Sequence, residues 1–354
     1  MTYLYGYVKI LGFFEKVDYA MFTLNGKTVL ITGGTGSFGK KFIQSAFAAY
    51  PGVKKIIVYS RDEFKQFMMQ GMPEFKPHYD QMRYFIGDVR DKERLMMAME
   101  GVDYVIHAAA LKQVPACEYN PFEAIKTNIL GAQNVIDAAM ARGVRKVIAL
   151  STDKACSPVN LYGATKLCSD KLFIAANGYA GSKDIKFSVV RYGNVAGSRG
   201  SVIPFFQQLV AEGAKELPIT DYRMTRFWLK LESAVWLVLN AFENMVGGEL
   251  YVKKIPSMKM TDLATAIAPH LPTREIGIRP GEKIHEQMIS SEDARNTLEF
   301  GDYYIIQPEA DWWPSKCENL GGKPVAPNFS YDSGSNTEWL SVEDMKELMK
   351  DLDA

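Results

Sequence analysis

Lys27-Thr-Val-Leu-Ile-Thr-Gly-Gly-Thr-Gly-Ser-Phe-Gly39 is the stretch that decides the fold. Its first half is a short, β-branched apolar run, the composition of a strand buried on both faces. Its second half is a turn with glycine at 33, 36 and 39, and Lys40-Lys-Phe-Ile-Gln-Ser-Ala-Phe-Ala-Ala49 follows with helical composition. Strand, Gly-x-x-Gly-x-x-Gly turn and helix make a cradle for a dinucleotide. The glycines permit a tight turn and close backbone approach, and the first helical N–H groups face the pyrophosphate. Gly33, Thr35, Gly36, Ser37, Phe38 and Gly39 are therefore expected to bind cofactor.

The next strand, Lys54-Lys-Ile-Ile-Val-Tyr59, runs into Ser60-Arg61-Asp62-Glu-Phe-Lys65. An NAD site usually places an acid at this strand end to hold the ribose hydroxyls. Here Ser60 and Arg61 come first and Lys65 is close, a hydroxyl and two cations that suit a 2′-phosphate. NADP is expected over NAD, with Asp62 keeping NAD open. The third strand reaches Asp88 and Val89, where Asp88 is placed to accept from the adenine amino group. The fourth, Gly101 to Ala110, ends in small residues that let backbone lie against cofactor at Ala108. His107 there reads as a packed core histidine, and Lys112 follows on the loop. A helix from Glu123 to Arg142 contains Asn128, and apolar strands recur at 146–150 and 187–191.

Strands alternating with helices at this pace predict an α/β fold, a doubly wound parallel sheet, with a smaller C-terminal domain. We expect residues 1–20 to be an extension outside the fold and 21–197 the dinucleotide-binding Rossmann domain. One further sheet strand is expected near 249–253, and 198–350 is read as mainly a substrate-binding cap. Residues 1–20 are aromatic-rich but lack the basic start and small-residue cleavage site of a signal peptide.

Within the Rossmann domain, after the strand at 146–150, lies Ser151-Thr-Asp-Lys-Ala-Cys-Ser-Pro-Val-Asn-Leu-Tyr-Gly-Ala-Thr-Lys166. It follows a buried strand and becomes a helix beyond Pro158. Tyr162 and Lys166, four apart, share one helical face. An ammonium beside a phenol favours the phenolate, so Tyr162 is expected to have a lowered pKa and to act as base toward a sugar or alcohol hydroxyl. Thr152, Asp153 and Lys154 add a hydroxyl, a carboxyl and an amine where a strand ends, a usual place for chemistry in open α/β sheets.

Composition limits the alternatives. Lys plus Arg and Asp plus Glu are each 41 in 354 residues, so charge points to neither nucleic acid nor an anionic membrane. The four cysteines are widely spaced without C-x-x-C, which argues against a zinc site or a disulfide framework and for a reducing cytoplasm. No run of about 18 uncharged apolar residues is present.

Thr32-Gly-Gly-Thr-Gly-Ser-Phe-Gly39, Tyr162-x-x-x-Lys166 and Arg191-Tyr-Gly-Asn194-Val resemble the extended short-chain dehydrogenase/reductase superfamily. Within it, Ser60-Arg-Asp-Glu, Ala109-Ala-Leu-Lys112, Ser151-Thr-Asp-Lys154, Asn160 to Lys171, Asp221-x-Arg-Met-Thr-Arg-Phe227 and Ile278-Arg-Pro-Gly-Glu-Lys283 are similar to the inverting UDP-N-acetylglucosamine 4,6-dehydratases of pseudaminic acid synthesis. The likeness runs from about Met21 to Leu352, with 68–81 longer than expected.

The resemblance implies catalysis by Thr152, Asp153, Lys154, Tyr162 and Lys166, with bound NADP storing hydride. Lys154 would be the C5 base, its pKa lowered by a nearby cation and desolvation, and Asp153 the acid that releases the C6 oxygen. Retaining relatives carry Asp-Glu where this chain has Asp153-Lys154. Tyr162, Lys166 and Val195 would also touch cofactor. Lys112, Asn194, Arg199, Met224 and Asn336 would face substrate, Arg226 and Arg279 its diphosphate, and Glu282 the ribose. A homo-oligomer, often a hexamer, and a flagellin or surface-glycan destination are also implied. The competing readings are a nucleotide-sugar C5 epimerase or retaining dehydratase on the same scaffold, and an NADP-binding regulatory protein without turnover.

Overall fold

In a computed structural model of the chain, residues 7–10, 13–16, 22–197, 201–310, 313 and 321–353 are described. Ten strands of the described chain form the central sheet: β1 (Thr28–Thr32), β2 (Lys55–Ser60), β3 (Met82–Ile86), β4 (Tyr104–His107), β5 (Lys146–Thr152), β6 (Lys186–Tyr192), β7 (Leu250–Lys253), β8 (Thr297–Glu299), β9 (Tyr303–Ile306) and β10 (Lys323–Pro324). Their spatial order is 10-8-9-7-6-5-4-1-2-3. The seven strands from β3 to β7 run parallel, and β9, β8 and β10 extend the edge antiparallel.

The parallel strands are apolar because both sheet faces are covered. Every residue of β1 is buried, and β4 is buried throughout. Helices Ser37–Ala49 and Leu231–Asn244 pack together on the sheet, and Lys92–Ala98, Gly131–Arg142 and Leu161–Tyr179 form a second packed set. The order 3-2-1-4-5-6 reverses direction between β1 and β4. Loops leaving the carboxyl ends of those strands diverge there and open a crevice.

A second, smaller core lies beside the sheet. Ile203, Phe206, Leu217, Trp228, Met258, Leu263 and Met345 are buried in it. It gathers helices Val202–Ala211, Met260–Ile267 and Val342–Asp353 with the short strands Leu217–Ile219, Thr225–Leu229 and Ser257–Lys259. This core belongs to the cap, and strand Thr225–Leu229 joins it to the sheet side by pairing with Asn194–Val195.

Strands Tyr7–Ile10 and Phe13–Lys16 pair with each other as an antiparallel hairpin, and neither pairs with another described strand. The long 68–81 stretch is packed: Phe75 is buried, His78 stacks on Phe47, and Gln81 donates to the carbonyls of Pro51 and Val53. No described helix is long and apolar enough to cross a membrane.

Candidate active site

The glycine turn after β1 is shaped by two requirements. Gly33 has φ of +67°, a conformation costly for residues with a Cβ. A Cβ on Gly39 would lie 2.3 Å from the Gly34 carbonyl oxygen, so only glycine lets the helix start this close to the turn. The helix begins with no side-chain cap, and its first N–H groups face the crevice opening. The chemistry of that cradle fits a pyrophosphate.

At the other side of the crevice, β5 ends at Thr152 and the chain turns at once through Asp153–Ala155. Asn160 then starts helix Leu161–Tyr179: its Oδ1 accepts from the Gly163 N–H at 2.8 Å, an ordinary N-cap. Its amide donates to the Gly281 carbonyl at 2.7 Å, so one side chain both caps the helix and pins the cap loop against it. Gly163 is buried against the Asp153–Ala155 turn, where a Cβ would meet the Lys154 carbonyl oxygen at 2.1 Å.

These elements enclose one cleft of about 630 Å³. It is lined by Gly33, Thr35, Gly36, Ser37, Phe38, Gly39, Ser60, Arg61, Lys65, Val89 and Ala108 along one half. Lys112, Thr152, Lys154, Tyr162, Lys166, Asn194 and Val195 line the other. Asp153 sits just behind this wall, 1 % exposed. Apart from Asp88, and with Asp153 behind the wall, the residues expected to handle cofactor and those expected to do chemistry thus share a single cavity.

The polar contacts are specific. Thr152 donates to Asp153 Oδ1 at 2.8 Å and also hydrogen-bonds Tyr162. Lys154 Nζ lies 3.1 Å from Asp153 Oδ1 and 3.2 Å from Glu286 Oε1. Beneath Lys166, Asp170 accepts from Ser151 at 2.6 Å and pairs with Arg191 at 3.2 Å, all buried. Asn128, on a π-helical segment, holds the loop before Lys112 by bonding both backbone groups of Leu111, and reaches Thr165. His107 is a packed core histidine: burial and Lys166 pull it down to about 3, and its neutral ring meets the Thr32 hydroxyl at 2.8 Å.

Several expectations need correction. Tyr162 is not lowered: burial, the largest effect, pushes it up to about 12 against the pull of Lys154 and the Thr152 hydrogen bond. The cation acting on it is Lys154, while burial pulls Lys166 itself down against Asp170. Lys154 is raised rather than lowered, because Asp153 and Glu286 together outweigh its burial and hold the ammonium. Lys65 is not a free cation but pairs with Asp62 at 2.7 Å. Ser60 Oγ accepts from the buried Gln66 amide, which leaves its own proton to donate. Asp88 lies outside the cleft lining, and its carboxylate is occupied by Arg90.

The cap residues are also differently disposed. Arg226 is buried with its guanidinium donating to the carbonyls of Thr225, Lys283 and Ile284, so its fork is spent on backbone rather than open to a diphosphate. Met224 is packed in the second core. Asn336 is committed to Ile255, Ser257 and Glu338. Arg279 is exposed, 3.9 Å from Glu282, and both stand on the cap loop outside the cleft lining. Arg199 lies outside the described residues. Glu286, Asp170 and Ser151 were not anticipated. Glu286 stands in Ile284-His-Glu-Gln-Met-Ile289, just past the Arg279-Pro-Gly motif, where half the residues are polar and nothing in the sequence marks it out.

Comparison with known proteins agrees in extent with the whole described fold. The family model described as polysaccharide biosynthesis protein matches residues 29–308. A Campylobacter jejuni protein named UDP-N-acetylglucosamine 4,6-dehydratase (inverting) is 59% identical over 332 residues, 92% of this chain and 98% of its own. A Rickettsia canadensis protein named UDP-glucose 4-epimerase is 44% identical over 92% of this chain and 96% of its own. The X-ray structure of Pen from Bacillus thuringiensis superposes with a TM-score of 0.84 at 38% identity, covering 93% of this chain and 99% of that one.

Proposed function

The chain belongs to the polysaccharide biosynthesis protein family of extended short-chain dehydrogenases/reductases, and from that membership we propose that it is an inverting UDP-N-acetylglucosamine 4,6-dehydratase. The observation that carries the reading is the Thr152-Asp153-Lys154 turn facing Tyr162 in the cleft, with lysine in the place where retaining relatives hold a glutamate. The product is the 4-keto-6-deoxy sugar inverted at C5, made in the cytoplasm as the first step of pseudaminic acid synthesis.

The Gly33–Gly39 cradle, Ala108, Val89 and Val195 would hold a nicotinamide dinucleotide, with Tyr162 and Lys166 beside its ribose. When bound, that cofactor supplies an acceptor for the C4 hydride and later returns it at C6. The protein's own groups do the proton work. Tyr162, a neutral phenol at rest, takes the C4 hydroxyl proton after its own has passed to solvent, a loss that the Lys154 charge and the Thr152 hydrogen bond favour, and Thr152 holds the C4 oxygen. The resulting ketone acidifies C5–H. Lys154 is an ammonium at rest, and Asp153 Oδ1 at 3.1 Å can take one of its protons. That single shift creates an amine to remove the C5 proton and a carboxylic acid to protonate the departing C6 hydroxyl. After water leaves, the pair is again ammonium and carboxylate. The proton that Tyr162 took from the C4 hydroxyl balances the one received by the opposite face of C5, which completes the inversion.

The decisive experiment is incubation with UDP-N-acetylglucosamine in deuterium oxide. We expect a C6-methyl product carrying deuterium at C5 with L-arabino configuration; D-xylo configuration would make this a retaining enzyme. The 44% identical relative named UDP-glucose 4-epimerase favours a second reading, a nucleotide-sugar epimerase. An epimerase product keeps its C6 hydroxyl and shows no methyl signal, so the same spectrum separates the two.

NADP rather than NAD is the preferred cofactor on this reading, through Ser60 and the half-exposed Arg61 at the end of β2. Arg61→Ala should lose about 1.5–3 kcal/mol of NADP binding, roughly 10- to 150-fold, with NAD affinity little changed. Titration calorimetry with both cofactors checks this; equal losses would remove the 2′-phosphate assignment.

A further inference from the structure

Glu286 comes from the cap, on the segment just ahead of strand Gln287–Ile289, yet it touches the amine of Lys154 on the sheet side. It is 3% exposed and its Oε1 stands 3.2 Å from Lys154 Nζ. Its other carboxylate oxygen has no hydrogen-bond partner among the described residues. A buried carboxylate kept half unsatisfied costs stability and calls for an explanation.

We infer that Glu286 is a positioning residue for the dehydration chemistry: it fixes the Lys154 amine from the cap side, opposite Asp153. The inference rests on the proposed function above. Lysine has a flexible four-carbon stem, and its ammonium carries three donors. Two of them are taken by Asp153 Oδ1 and Glu286 Oε1, one from each side of the cleft. That fork sets where Nζ stands and leaves its third N–H for a ligand.

The surrounding charges favour this role over a plain counter-ion for Arg226. Arg226 Nε is 3.8 Å from Glu286, farther than Lys154, and its guanidinium is already satisfied by three carbonyls. Lys283 faces Glu286 from the same loop, but its amine donates to the Cys156 carbonyl at 2.6 Å. Tyr162 faces Lys154 from its helix. Burial would neutralise Glu286, but Lys154, Arg226 and Lys283 together hold it ionised. Asp153 and Glu286 are the two carboxylates that face the amine, Arg226 the opposing cation. A separate consequence is structural: the cap can contribute to Lys154 only when the Arg279–Glu286 loop is seated, and Asn160 seats it by bonding Gly281.

The test is Glu286→Gln, with Glu286→Asp as its charge-preserving companion, each measured as kcat and KM with ordinary and C5-deuterated UDP-N-acetylglucosamine. With one side of the fork gone, the amine strays from C5 and proton removal there becomes slower. The Gln variant's kcat should fall on the order of tenfold to a hundredfold, with KM little changed and a larger C5 deuterium effect. The Asp variant keeps the charge on a shorter stem and should show a smaller loss of kcat and a smaller rise in the isotope effect. If the Gln variant does not fold, an Asp variant with unaltered kcat and isotope effect refutes the inference. Unchanged kcat and isotope effect in a folded Gln variant refute it equally. Wild-type enzyme that makes no 6-deoxy product fails the proposed function instead, so the two failures are told apart.

Discussion

With Lys154 replaced by alanine, the enzyme is expected to oxidise its substrate and stop. Tyr162, Thr152 and Lys166 remain in the cleft, so the C4 hydroxyl can still lose its proton, more slowly because Tyr162 also loses the Lys154 charge that acts on it. Absorbance of reduced nicotinamide should rise on adding UDP-N-acetylglucosamine, while 6-deoxy product falls on the order of 10²- to 10⁴-fold, the range of a lost acid–base group. Tyr162→Phe gives the opposite pattern, with neither absorbance nor product. Asp153→Asn should resemble the lysine variant, with some activity restored because water replaces an acid more readily than a base. The physical basis is the 3.1 Å contact between Lys154 and Asp153, which makes amine and acid from one proton. Full product formation by the alanine variant would show that another group takes the C5 proton.

Gly163→Ala is expected to be as damaging as a change to a catalytic side chain, although position 163 carries none. The new methyl would sit 2.1 Å from the Lys154 carbonyl oxygen and 3.0 Å from its carbonyl carbon. Both are backbone atoms, so no side chain can swing aside. Either the start of helix Leu161–Tyr179 or the Asp153–Ala155 turn must move. The Gly163 N–H bond to Asn160 resists the first, since breaking it frees the cap and the Gly281 contact. Overpacking of this kind costs about 1–3 kcal/mol. An ångström of displacement at Lys154 costs roughly 10²-fold in rate. Thermal unfolding and turnover measured together should show a modest stability loss with a large activity loss. Turnover within twofold of wild type would mean the turn and helix separate freely.

Much of this site is legible along the chain because its parts are local. The strand, glycine turn and helix from Lys27 to Ala49 lie within one βα unit, and their geometry follows from β-branched composition, the left-handed φ at Gly33 and the tight contact at Gly39. Tyr162 and Lys166 share a helical face by spacing alone. Thr152, Asp153 and Lys154 stand at a strand end, where α/β sheets open. Alternating strands and helices, read together, give the parallel order that brings these loops to one crevice.

What the chain by itself could not determine is the electrostatic sense of the site. An ammonium four residues from a tyrosine promises a lowered phenol, but that promise assumes water nearby. Packing removes the water, and desolvation then lifts Tyr162 to about 12. Likewise Lys154 was expected to be a neutral base, lowered by desolvation and a nearby cation, and both do act on it. Glu286 arrives from the cap only once the second core has folded against the sheet, and two carboxylates then hold the amine charged. Arg226 has the residue type and motif of a phosphate ligand, yet the loop at Lys283 and Ile284 takes its donors. Spacing and composition determined the fold and brought the glycine cradle, Thr152, Lys154, Tyr162 and Lys166 to one cleft. Charge state and hydrogen-bond commitment depend on long-range neighbours and on burial, and only the tertiary structure decided those.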